Sequence, residues 1–184
     1  ERIVMPFGAV ALEAAAPRTG ERVIDIGCGC GETSIEIARM VGGTGSVLGI
    51  DVSQPMLDLA RARGARAGCS HLAYHEGDAS EAGLPTNTDL LFSRFGVMFF
   101  SQPTAAFKHL RKSLRAGGRC VFVCWRTPRD NAWAMTPLPA ARQALRVTQA
   151  PSDPHAPGPL SFAKEPRLRP TPSHARSAHP PSAG

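Results

Sequence analysis

The chain is poor in aromatic residues: one tyrosine, two tryptophans and eight phenylalanines in 184 residues, 6% in all. Aromatics interleaved with basic residues, the pattern that stacks on and neutralises single-stranded nucleic acid, are missing. Long apolar runs are missing too, so no stretch reads as a membrane span. Nothing resembles a secretory leader, and Glu1 rather than methionine stands first, which reads as a processed or internal start. The formal charge is +6, but the arginines are scattered rather than massed, so the basic balance does not call for a polyanion. The cysteines number five, Cys28, Cys30, Cys69, Cys120 and Cys124. An odd set with four members in or beside expected strands argues for reduced thiols and a cytoplasmic setting.

What is present is organised around residues 23–33, V-I-D-I-G-C-G-C-G-E-T. The run is apolar, then acidic, then glycine-rich, and it opens a helical pattern. It reads as a buried strand, a tight turn and a helix N-terminus. Missing side chains at Gly27, Gly29 and Gly31 let the backbone turn and let a ligand approach, while the helix start favours an electronegative group on that ligand.

Strand and helix patterns alternate from there. Strands are expected over 23–26, 47–52, 72–75, 89–93 and 119–125. Helices are expected over 6–16, 33–41, from Ser53 to Gly64 or Gly68, and over 105–114, the last stopped by Gly117 and Gly118. Met56, Leu59 and Ala60 are read as the apolar face of the third helix. The alternation predicts an α/β fold with a mostly parallel sheet, functional loops at the strands' carboxyl ends and convergence of Gly29, Asp51, Asp78 and Ser93 on one rim. One more helix is expected within 133–150. Residues 151–184, rich in Pro, Ala, Arg, Ser and His, are expected to form an unordered tail, with 1–150 as the folded domain. Its histidines, His155, His174 and His179, are irregularly spaced with no cysteine among them and predict no metal site. The Cys28–Cys30 pair lacks the further ligands zinc needs and is read as filler.

Asp51 follows Gly31 by twenty residues and ends the next strand. A carboxylate there can accept both hydroxyls of a ribose, which points to an adenine nucleoside. The dinucleotide fingerprint G-x-G-x-x-G is not met: the third glycine comes one place early, and Glu32 follows it. An acid there repels a pyrophosphate, so a cofactor without phosphates fits better, with an NAD-dependent oxidoreductase left as an alternative.

These stretches resemble the ordered motifs of class I S-adenosylmethionine-dependent methyltransferases, in the ubiquinone/menaquinone-biosynthesis-like branch with a type 11 or type 25 methyltransferase domain. The resemblance runs over about 6–140 and rests on the glycine segment, V-L-G-I-D-V-S-Q-P-M-L, G-D-A at 77–79, D-L-L-F-S-R-F-G-V-M-F-F and L-R-A-G-G-R-C-V-F-V-C-W. It implies a Rossmann-like open sheet with helices on both faces and S-adenosylmethionine as cofactor. It also implies roles. Asp25 would hold the methionine ammonium. Gly27, Cys28, Gly29 and Gly31 would border the methionine and ribose. Asp51 would take the ribose hydroxyls, and Val52 and Met56 would pack on adenine. Asp78 and Ala79 would meet the adenine edge, and Ser93 and Phe95 would line the space near the methyl. The acceptor implied is a small molecule rather than nucleic acid, since S-R-F-G rather than N-P-P-Y follows the fourth strand. No general base is nominated: His75 is expected to face away and His109 to lie on the surface.

The family's two last, antiparallel strands find no counterpart after Trp125. G-P-L-S-F-A at 158–163 resembles the start of the family's next segment, but R-L-R-P-T-P-S-H follows, which reads as a changed reading frame. Five parallel strands are therefore expected, with the fifth a bare edge prone to self-association. A non-catalytic fragment of the fold is the second functional alternative.

Overall fold

The computed structural model describes residues 5–131, 144 and 156–163. The chain enters through α1 (Met5–Ala15) and then alternates: β1 (Arg22–Ile26), α2 (Glu32–Val41), β2 (Ser46–Asp51), α3 (Gln54–Arg66), β3 (Leu72–Glu76), β4 (Thr88–Arg94), α4 (Pro103–Arg111) and β5 (Leu114–Val123). A short 3-10 turn, Gly96–Phe99, follows β4. All strand pairings are parallel, in the order β3-β2-β1-β4-β5. β1 is thus central, and the chain reverses its direction of winding between β1 and β4, where open α/β sheets bind ligands.

The middles of the central strands, 23–26, 47–50 and 90–92, carry almost only apolar residues because both faces are covered. Val23, Leu90 and Phe92 join Ile37 and Val41 of α2 and Ala11 and Leu12 of α1 in one core. Ile24, Ile26 and Leu91 join Val97, Met98, Ala106 and Leu110 in the other. Asp25 is the exception, a carboxylate 1% exposed in the middle of β1. On β3, Tyr74 fills a space that three glycines leave open: a Cβ on Gly49 would meet its ring at 2.6 Å, one on Gly64 at 3.5 Å, and one on Gly31 would collide with it.

The expected elements form, with three corrections. The helix read as 105–114 ends at Arg111, where the Ser113 N–H and hydroxyl both close on the Leu110 carbonyl. β5 starts at Leu114, and Gly117 and Gly118 lie inside it rather than stopping a helix; residues 115–118 stand opposite Asp89 alone, a bulge between the Thr88–Leu114 and Leu90–Arg119 pairs. The inward face of α3 is Leu57, Ala60 and Gly64. Met56 and Leu59 are 46% and 40% exposed, because the Tyr74 ring against Gly64 sets the rotation of the helix.

α1 is held to the far edge of the sheet by Arg119. Its Nε donates to the Ala15 carbonyl at 2.8 Å and Nη2 to that of Ala16 at 3.0 Å, while Nη1 and Nη2 both reach the Glu21 carboxylate at 2.7 Å.

The helix expected within 133–150 lies outside the described residues except for Ala144, as do 164–184. Within the region expected to be unordered, residues 156–163 pack on the domain: Phe162 is 2% exposed, and the Gly158 N–H and Ser161 hydroxyl donate to the Met98 carbonyl at 3.0 and 2.5 Å. The apolar Phe162 finds a ring partner in Phe107, which a composition dominated by proline and serine does not signal. Among the described residues no helix is long and apolar enough to cross a membrane.

Candidate functional site

The glycine turn leaves β1 with three residues in the left-handed region: Gly27 at φ 67°, Gly29 at 53° and Gly31 at 78°. Two N–H groups, of Gly27 and Cys28, donate to the Ile50 carbonyl at 2.8 and 3.2 Å and tie the turn to β2. Gly31 caps α2 without a side-chain hydrogen bond, so the first N–H groups of the helix face the turn.

Asp51, at the end of β2, fastens two loops. Its Oδ2 accepts from the Gly29 N–H at 2.8 Å and its Oδ1 from the Ser53 N–H at 2.9 Å. An ionised carboxylate has about four acceptor sites, so capacity remains on both oxygens. The Gly77 N–H donates to the Asp51 carbonyl at 2.9 Å, which brings the 77–79 turn alongside. Asp78 there is exposed and accepts from the Ser80 N–H at 2.8 Å, and Ala79 is buried in the core. Val52, 69% exposed, and Met56 leave an uncovered apolar rim next to Asp51.

A cleft of about 140 Å³ opens at the turn, walled by Asp25, residues 27–30, Glu32, Thr33 and Arg94. Burial pushes the Asp25 carboxyl up to about 7; the Ser34 hydroxyl, donating to Oδ2 at 2.6 Å, and the Arg94 charge oppose that rise, and the Asp51 charge adds to it. Cys28 lines the cleft, and its Sγ sits where a Cβ on Gly49 would meet it at 2.9 Å. Burial raises that thiol far above its ordinary range, so it is an inert packing group. Among the described residues no group of three or more His, Cys, Asp and Glu is arranged to hold a metal.

Ser93 and Phe95 sit beside the cleft rather than in its wall. The Ser93 hydroxyl donates to the Ile26 carbonyl at 2.7 Å and accepts from the Gly96 and Val97 N–H groups at 3.1 and 3.3 Å, and the residue is 1% exposed. It ties the end of β4 to the glycine turn. Phe95, in the left-handed region at φ 69°, stacks on Trp125 at 4.4 Å, with Phe7 edge-on to both rings. His75 is exposed, and His109 meets the Ala82 carbonyl at 2.8 Å through Nε2.

Sequence reasoning missed Arg94, the cation of the cleft wall, whose Nη2 lies 3.1 Å from Glu32 Oε2. Glu32 is thus a paired acid rather than a bare one. The two residues lie 62 positions apart, and no local spacing announces them.

A family model described as "Methyltransferase domain" matches residues 23–118, just over half of the chain. Aklanonic acid methyltransferase DauC of Streptomyces sp. (strain C5) is 34% identical over 119 residues, covering 64% of this chain and 54% of that protein. The ubiquinone/menaquinone biosynthesis C-methyltransferase UbiE of Cellvibrio japonicus is 31% identical over 122 residues, covering 65% and 49%. The chain thus spans about half the length of these curated relatives. A solved structure of a SAM-dependent methyltransferase from Aquifex aeolicus superposes with a TM-score of 0.61 over 78% of this chain and 81% of that one, at 19% identity, a likeness of fold. With its glycine turn and five strands inside the matched span or next to it, the chain belongs to the methyltransferase-domain family.

Proposed function

We propose that the chain binds S-adenosylmethionine across the carboxyl ends of β1, β2 and β3 and serves methyl transfer to a small organic acceptor. The observation that carries this reading is the Asp51 carboxylate, pinned by two backbone N–H groups with acceptor sites left over, beside the exposed apolar Val52 and Met56. That is the fit a ribose and an adenine ring require, and it asks for no phosphate partner. The cleft beyond the turn is far below the size of a whole cofactor pocket and suits one small polar end.

In this reading Asp25 faces the ammonium of the amino-acid end. Gly27, Gly29, Gly31 and the Cys28 backbone border that end and the ribose. Asp51 accepts from the ribose hydroxyls, Val52 and Met56 flank the adenine, Asp78 accepts from its amino group, and Ala79 offers backbone. Ser93 holds the turn in register, and Phe95, with Trp125 and Phe7, bounds the acceptor side. Bound there, the cofactor supplies a methyl group on a positive sulfonium, already activated toward a nucleophile. The chain's own contribution is alignment and the exclusion of water.

The names of the two relatives speak of aklanonic acid and of ubiquinone/menaquinone biosynthesis, which supports a small-molecule acceptor rather than nucleic acid. Five free thiols support a cytoplasmic setting. The half-exposed apolar residues of β5, an edge strand among the described residues, support self-association there.

Titration calorimetry with S-adenosylhomocysteine tests the reading. The wild-type chain binds and Asp51→Ala loses at least about tenfold in affinity; equal binding by both contradicts the assignment. Binding of NADH in place of S-adenosylhomocysteine would favour the oxidoreductase alternative.

A further inference from the structure

The sharpest unassigned feature is the charge arrangement inside the small cleft. Arg94 is the last residue of β4, with its side chain 19% exposed, and it is the cation among the cleft's lining residues. Only Nη2 is engaged among the described residues, with the Glu32 carboxylate at 3.1 Å. A guanidinium offers five N–H donors in a planar fork, so most of its capacity is unspent. Gly8 of α1 backs it closely: a Cβ there would come within 3.2 Å of Nη1. Asp25 lines the same cleft, from the neighbouring strand; it is 1% exposed and among the described residues accepts only from Ser34. The start of α2, which has no side-chain cap hydrogen bond and whose first residue Glu32 meets Arg94, adds positive potential there.

An acid and an underused arginine lining one small cleft match a zwitterion, with an ammonium for the carboxylate and a carboxylate for the fork. We infer that Arg94 binds the α-carboxylate of the cofactor's amino-acid end, with Glu32 holding the guanidinium in place beside it. The inference rests on the cofactor reading above. The competing account is that Arg94 and Glu32 merely tie β4 to α2.

Two ligands separate these accounts. S-adenosylhomocysteine carries the amino-acid end; 5′-methylthioadenosine keeps the nucleoside and thioether without it. Both are titrated calorimetrically into wild type, Arg94→Met and Arg94→Lys, with melting curves for each protein. Wild type is expected to bind both. Arg94→Met loses roughly 10- to 100-fold for S-adenosylhomocysteine and stays within about twofold for 5′-methylthioadenosine. Arg94→Lys, a point charge in place of a fork, falls between for the first ligand and is unchanged for the second. Equal loss of both ligands, or no loss of S-adenosylhomocysteine, overturns the inference. If Arg94→Met does not fold, Arg94→Lys decides by the same criterion. Wild type that binds neither ligand overturns the cofactor reading and this inference with it.

Discussion

Gly27 and Gly96 touch backbone to backbone at the mouth of the site. A Cβ on Gly27 would lie 2.6 Å from the Gly96 Cα, and one on Gly96 would lie 2.8 Å from the Gly27 Cα and 2.5 Å from the Ile26 carbonyl oxygen. Neither neighbour is a side chain that can swing aside, and Gly27 also needs a left-handed φ. Gly27→Ala is therefore expected to cost about 2–4 kcal/mol of stability. Gly29→Ala, whose Cβ has nothing nearer than the Met56 sulfur at 3.9 Å, costs about 1 kcal/mol through φ alone. Urea unfolding of the two variants checks the contrast.

Asp25 makes stability depend on pH in a direction opposite to most carboxylates. Burial raises it to about 7 in the folded chain, against about 3.9 unfolded. Between those values the folded state keeps a proton that the unfolded state has released, so stability falls as pH rises from about 4 to about 7 and is flat above. Glu21 and Asp89 are shifted down, Glu21 chiefly by its hydrogen bond to Arg119, and Asp89 by hydrogen bonds from Arg22 and Arg115 that outweigh its burial. Their slopes lie in the acid range below. Asp25→Asn keeps an acceptor for Ser34 and removes the slope, so it matches wild type near pH 4 and exceeds it at pH 8. Denaturation midpoints at a series of pH values, wild type against Asp25→Asn, check this.

Arg119 joins the end of α1, Glu21 and β5, positions about 100 residues apart in sequence. Its loss strands two carbonyls and a Glu21 side chain only 10% exposed. Arg119→Met is expected to cost about 1.5–3 kcal/mol. Arg61→Met, which breaks an exposed pair with Asp58, costs under about 0.5 kcal/mol. Thermal midpoints of the two variants give the comparison.

Much of the site was legible because its signals are local. Apolar runs marked β1 and β2, alternating glycines marked the turn, and Asp51 stood at a recognisable distance after it. What was illegible depended on distant partners. The Ser93 hydroxyl is claimed by a carbonyl 67 residues away, and Arg94 is oriented by Glu32. Leu114 continues the stripe begun by Ala106 and Leu110, so periodicity alone extended α4 across the start of β5. Met56 and Leu57 compete for the same inward stripe, and only Tyr74, packing from β3, settles which is buried.

Phe162 tests whether the stretch at 156–163 belongs to the domain. It is 2% exposed, with the Phe107 ring 6.2 Å away centre to centre. Phe162→Ala is expected to lower stability by about 2–4 kcal/mol in denaturant unfolding. A change within about 0.5 kcal/mol would mean that the stretch does not share the core.

The central claim is that the rim around Asp51 receives a nucleoside, and Val52 and Met56 test it most directly because they are exposed, at 69% and 46%. Truncating both, Val52→Ala with Met56→Ala, leaves the melting temperature close to wild type. Calorimetry with S-adenosylhomocysteine should then show affinity reduced by roughly 5- to 30-fold through lost apolar burial on the ligand. Unchanged affinity in a double variant that melts like wild type would contradict the account.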